Sequence, residues 1–60
     1  MTPSEIRAGA TYRGEAGETM RVVLVHHAKV LVYLPSIDDY EWRELAEFAA
    51  WAVSEVRDAG

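Results

Sequence analysis

Sixty residues suffice for one small domain near the lower limit for folding alone, so a single domain over 1–60 is expected. Half of the residues are apolar, which excludes a chain disordered by composition, and the absence of cysteine excludes a disulfide framework and a thiolate metal site. The net charge of −4 is split unevenly: residues 1–35 hold three acids and four bases, net +1, and residues 36–60 hold seven acids and two bases, net −5.

In chain order, Thr2-Pro3-Ser4-Glu5 reads as a helix start, with Thr2 as N-cap, Pro3 in the first helical position and Glu5 reaching back. Gly9 ends it after about one turn, and Ile6 should anchor the N-terminus to the core. This N-terminus has neither a basic region nor an apolar run, which argues against a signal peptide. Ala10 to Arg13 is a short strand around Tyr12, and Gly14-Glu15-Ala16-Gly17 is a turn.

Glu18 to His26 is the main strand. Alternation places Met20, Val22 and Leu24 on one face and Arg21, Val23 and Val25 on the other. A tight connection, His26-His27-Ala28-Lys29, leads to a third strand from Lys29 to Leu34, which Pro35 ends. Adjacent strand residues point to opposite faces, so His26 and His27 are expected to be turn residues rather than metal ligands.

After Pro35-Ser36-Ile37 the period changes. Asp38 as N-cap with Glu41 three residues on fits a capping box, and the segment from Tyr40 to about Arg57 fits a long amphipathic helix. At 100° per residue Trp42, Leu45, Ala46, Ala49, Ala52, Val53 and Val56 share a core stripe, with Phe48 at its edge. The expected fold is therefore α+β: a short N-terminal helical turn, a three-stranded antiparallel β-meander, and one long C-terminal amphipathic helix packed on the sheet. Val22, Leu24, Val32, Leu45, Ala49 and Val56 should form its core.

The opposite face of that helix would carry Tyr40, Glu44, Glu47, Trp51, Glu55 and Asp58 in one row, with Asp39 and Asp58 at the rim. Two aromatics among carboxylates, on a face turned to water, suggest a binding surface, because Trp and Tyr are enriched in interface hot spots. The alternative is that Trp51 folds over the end of the sheet.

Neither a glycine-rich phosphate loop nor a serine paired with a base is visible, so no enzyme, catalytic residue, metal or cofactor is expected. An acidic chain is repelled by phosphate backbones and attracted to basic grooves, so direct nucleic-acid binding is not expected either. No apolar run approaches the roughly 20 residues that span a bilayer, and a cysteine-free chain of this size points to the cytoplasm.

Ile6 to Tyr12, Gly14, Gly17, Val22-Val23 and Val30 to Tyr33 resemble a pattern in small phage and prophage proteins. Those proteins read roughly Ile-x-x-Gly-x-x-Tyr, a glycine turn, a valine-rich strand and Val-x-Tyr. The resemblance covers about residues 6–33 and implies a small curled sheet of the SH3-like type. Such a barrel would need two further strands where the late helix is expected.

The tiny, acidic, cysteine-free format is similar to phage-encoded inhibitors of host defence, including anti-CRISPR proteins. It implies a basic nucleic-acid-handling host protein, or nucleoprotein complex, as partner in the host cytoplasm, for a monomer or homodimer. Two alternatives stay open. One is a structural or adaptor module, dimeric through Val23 and Val25. The other is weak nucleic-acid binding through Arg13, Arg21, Lys29 and the sheet aromatics.

Overall fold

A computed structural model of the protein describes residues 1–56. A 3₁₀ turn, Pro3–Glu5, precedes strands β1 (Thr11–Gly14), β2 (Thr19–His26), β3 (Lys29–Leu34) and β4 (Asp39–Glu44). A two-turn helix, α1 (Leu45–Trp51), and strand β5 (Ala52–Val56) follow. The five strands form one antiparallel sheet in the order β4-β3-β2-β1-β5, so α1 carries the chain from one edge to the other. No helix among these residues is long and apolar enough to cross a membrane.

The first 34 residues follow the expectation closely. The Glu5 carboxylate accepts the Thr2 backbone N–H at 2.8 Å and the Thr2 hydroxyl at 2.9 Å, and these bonds hold its pKa below the usual carboxylate value. Ile6 is buried, as are Tyr12, Met20, Val22, Val30 and Val32. The connection after β2 is a two-residue turn, with His26 paired to Lys29 and His27 at φ 56°.

The long C-terminal helix is not there, and this corrects the expected fold class. The segment expected to be one helix from Tyr40 to Arg57 divides into β4, α1 and β5 as far as Val56. The physical reason lies in the meander. Three strands alone leave the backbone groups along the outer sides of β1 and β3 unpaired, and adding β5 to β1 and β4 to β3 satisfies both rows at once. Asp38 is not an N-cap. It sits at φ 51° in the turn before β4, a conformation that Asp tolerates better than most residues.

Helical geometry survives only from Leu45 to Trp51, where Leu, Ala, Glu and Phe favour it and where Phe48 and Ala49 bury. The α-ammonium of Met1 donates to the carbonyls of Ala49 (3.0 Å) and Ala52 (3.1 Å), placing positive charge where helix carbonyls lack partners.

The core differs from expectation at three positions. Val22, Val32 and Ala49 are buried, but Leu45 and Val56 are half-buried and Leu24 is 39% exposed. Leu24 is displaced by an irregularity in β2: Val22 pairs with Val32, yet Leu24 pairs with Leu31, leaving Val23 as an extra residue. One inserted residue reverses the faces beyond it. Leu24 therefore turns outward, and Val25, opposite Val30, turns toward the core. Trp42 and Val53, assigned to the helical core stripe, are exposed.

The inner face closes around Tyr12 and Phe48, whose rings meet edge to face at 5.7 Å. Phe48→Ala should cost about 3–5 kcal/mol, a large share of the stability of so small a domain. Leu24→Ala should cost less, about 1–2 kcal/mol, since Leu24 keeps 39% of its surface in water. Urea denaturation of the two variants checks this contrast. A larger loss at Leu24 than at Phe48 would contradict the displaced register.

Candidate functional site

The row of residues predicted on one helix face is dispersed. Tyr40 and Glu44 lie on β4, Glu47 is exposed on α1, and Glu55 is on β5. Asp39 begins β4 and accepts the Tyr40 N–H at 2.8 Å. Asp58 lies outside the described residues.

Trp51 is half-buried, not an exposed aromatic between carboxylates. Its indole N–H donates to Glu18 at 2.9 Å, and its ring lies 5.2 Å from Phe48. It covers Gly14, where a built Cβ would come within 2.6 Å of the indole carbon Cε2. Only a residue without a Cβ leaves room for the ring, so Trp51 closes the β1–β2 turn. Glu55 is likewise engaged: both of its oxygens lie 3.0 Å from Arg7 Nη2, and this pairing raises the Arg7 pKa.

A different surface is assembled on the outward face of β2, β3 and β4, where the register sets three rows across the strands. His26, Lys29 and Glu44 form the first row. Leu24, Leu31 and Trp42 form the second, and Arg21, Tyr33 and Tyr40 the third. Tyr40 and Trp42 are 54% and 52% exposed. The rings of Tyr33 and Tyr40 are 5.1 Å apart, and the Arg21 guanidinium lies 5.4 Å from the centre of the Tyr33 ring, a cation–π contact. Lys29 Nζ meets Glu44 at 2.7 Å. Apolar and aromatic side chains thus occupy the middle of the face, and charges stand at its ends.

Sequence reasoning brought Tyr40 and Glu44 to one surface and, as an alternative, Arg21, Lys29 and the sheet aromatics to another, but missed Trp42, Leu24 and Leu31. The signal for Trp42 is present in Asp39-Tyr40-Glu41-Trp42-Arg43-Glu44. There, Tyr40 and Trp42 fall two residues apart directly after a turn, which is strand spacing.

Elsewhere the chemistry is sparse. The His26 and His27 rings lie 4.2 Å apart, closer than strand alternation implies, because His27 belongs to the turn. Among the described residues no three potential metal ligands cluster. A groove beside Arg7, Ala10, Thr11 and Arg21 has Glu55 as its one carboxylate wall among the described residues, and that carboxylate is bound to Arg7. Comparison with known proteins gives no match: no family model fits the chain, and no curated protein or solved structure is significantly similar to it.

One titration reports on this face. The Tyr33 hydroxyl donates to Asp38 at 2.6 Å, and that bond raises the phenol's pKa above its ordinary value. A raised pKa in the folded state adds stability below the unfolded value of about 10, lost as pH rises through the folded value. Asp38→Asn keeps a residue that tolerates positive φ but removes the charge. Tyr33 should then deprotonate at lower pH, as read by phenolate absorbance in a Tyr40→Phe background. An unchanged titration would rule out the bond.

Proposed function

We propose that this chain is a non-enzymatic binding module that holds a partner protein on the outward face of β2, β3 and β4. One observation carries the reading. Tyr40 and Trp42 stand exposed, side by side with Tyr33, Leu31 and Leu24, on a face that no other described element covers. An aromatic row in water adds little to folding, whereas Trp and Tyr anchors desolvated by a partner dominate binding energy. A protein partner suits this face better than nucleic acid. Lys29 is paired with Glu44, so among the described residues Arg21, stacked on Tyr33, is left as a single unpaired cation on this face, too little charge to hold a phosphate backbone.

Within this class the narrower reading is a phage or mobile-element inhibitor of a basic nucleic-acid-handling host protein, in its most specific form an anti-CRISPR protein. It is supported by the net charge of −4, by the excess of acids after Pro35, and by the resemblance of residues 6–33 to small phage proteins. Five antiparallel strands with β5 beside β1 are compatible with the SH3-like reading of that resemblance. Trp51 no longer supports it.

The test is capture of a partner from a host lysate by wild-type protein and by three variants with unchanged circular dichroism. Trp42→Ala and Tyr40→Ala should each weaken capture by about 30-fold or more, the effect of losing a hot-spot side chain. Reversing Glu47, which lies off the face, should change it by less than about threefold. Capture insensitive to Tyr40 and Trp42 would sink the proposed surface. Capture lost only with Glu47 would restore an acidic contact centred on α1.

A further inference from the structure

The outer edge of β4 carries an inference that does not rest on the reading of the face. The Leu45 N–H donates to the Ala28 carbonyl at 2.8 Å, one step beyond the Lys29–Glu44 pair. Hydrogen-bonded and non-hydrogen-bonded pairs alternate along an antiparallel ladder. Arg43, Glu41 and Asp39 therefore turn their backbone groups toward β3. Tyr40, Trp42 and Glu44 turn theirs to the open edge, and the Tyr40 N–H, taken by the neighbouring Asp39 carboxylate, agrees with this phase.

Proteins usually protect such an edge with a bulge, a proline or a lysine. β4 has none of these, and its pairing with β3 runs from Asp39 to Glu44 without a register shift. The opposite edge, β5, is interrupted by a shift at Arg13/Gly14. What β4 carries instead is charge in the inward phase, Glu41 and Arg43, on either side of Trp42. Inward charges exclude an arbitrary strand, but they do not exclude one with the reversed charge order. The same strand running the other way has that order.

We propose that β4 pairs antiparallel with β4 of a second copy about a twofold axis at Trp42. In this register Trp42 meets Trp42 of the partner copy as a hydrogen-bonded pair, and the Tyr40 carbonyl accepts the N–H of the partner's Glu44, whose own carbonyl serves the first turn of α1. The pairs between them set Glu41 against the partner's Arg43 and Arg43 against the partner's Glu41. Moving the axis to Glu41 or to Arg43 keeps the backbone phase but opposes two like charges, so charge selects Trp42 as the centre.

A second observation points the same way. Arg43 Nε is shut off from water and has no hydrogen-bond partner among the described residues, although Glu41 Oε1 lies 3.0 Å from it in poor alignment. A carboxylate arriving opposite Arg43 would meet the part of its side chain that stays exposed, 36% of it, and give the guanidinium a second anion beside Glu41. The Tyr40 N–H keeps its bond to Asp39.

Sedimentation velocity and native mass spectrometry, from about 1 μM to about 1 mM, test the proposal. Wild-type protein should reach twice the 6.7 kDa of one chain. Glu41→Arg and Arg43→Glu each place like charges in both cross-copy pairs, and each should weaken association by about tenfold or more. Mixed together, the two variants should form a heterodimer. The arginine introduced in the first then faces the glutamate introduced in the second, and Arg43 of the first faces Glu41 of the second. That rescue cannot come from the charges within one chain. Trp42→Pro removes an N–H that β3 does not use and should abolish the dimer with the fold intact by circular dichroism. A wild-type chain monomeric at every concentration would overturn the proposal. So would a dimer indifferent to both reversals, or a mixture that stays monomeric. Capture of a host protein through Tyr40 and Trp42 is read separately, so either idea can fail alone.

Discussion

Tyr12 holds three parts of the molecule at once. Its ring is fully buried at the centre of β1 and packs edge to face on Phe48 of α1. Its hydroxyl donates to the Glu5 carbonyl at 3.0 Å and accepts the Arg7 N–H at 2.9 Å, so the N-terminal turn is tied to the sheet through one side chain. A buried hydroxyl without partners would cost about 1–3 kcal/mol. Here both partners are backbone groups of the N-terminal segment, which buried Ile6, the Met1 ammonium and the Arg7–Glu55 pair also fasten. In a chain of sixty residues no second core can compensate for a loose end, and the Met1 ammonium fastens the same segment to the end of α1.

The first half of the fold was legible because its signals are local. Gly17, at φ 91°, sets the turn after β1, Pro35 closes β3, and Thr2 with Glu5 marks the opening turn; each acts on backbone close to it in sequence. Two features were not legible for the opposite reason. The extra residue at Val23 leaves no mark in Val22-Val23-Leu24-Val25, where every register reads as apolar, so the reversal that turns Leu24 outward is decided by pairing with β3. The division of residues 39–56 depends on which edges need a partner strand. Glu, Leu, Ala and Arg favour a helix when read alone, and the sheet overrides that preference at both ends, leaving seven helical residues.

The candidate site failed to appear in the sequence by the same route. Tyr40 and Glu44 are four apart, a neighbour spacing on a helix, and they also share a face on a strand. Agreement between the two periods hid the error while placing Trp42 on the wrong side. Trp51 shows the converse. Its helix exists, but Gly14, 37 positions earlier, leaves the vacancy that the indole fills. No helical wheel contains that information, since it comes from a turn on another element.

Charge illustrates how far a property of sequence segments can depart from a property of surfaces. Residues 36–60 carry net −5, yet the strand order folds bases of the first half onto acids of the second. Arg7 holds Glu55 and Lys29 holds Glu44, across sequence separations of 48 and 15 residues. Asp38 takes the Tyr33 hydroxyl, Asp39 the Tyr40 N–H, and Glu41 lies against Arg43. The exposed ion pairs contribute little stability each but neutralise locally, whereas Asp38 and Asp39, bonded to neutral donors, keep their charge. Among the described residues of this half, Glu47 alone has no such partner. The described acids of this half are therefore spread over β4, its preceding turn, α1 and β5 rather than gathered in one row. What remains conspicuous on the surface is apolar and aromatic, and it was placed there by strand register.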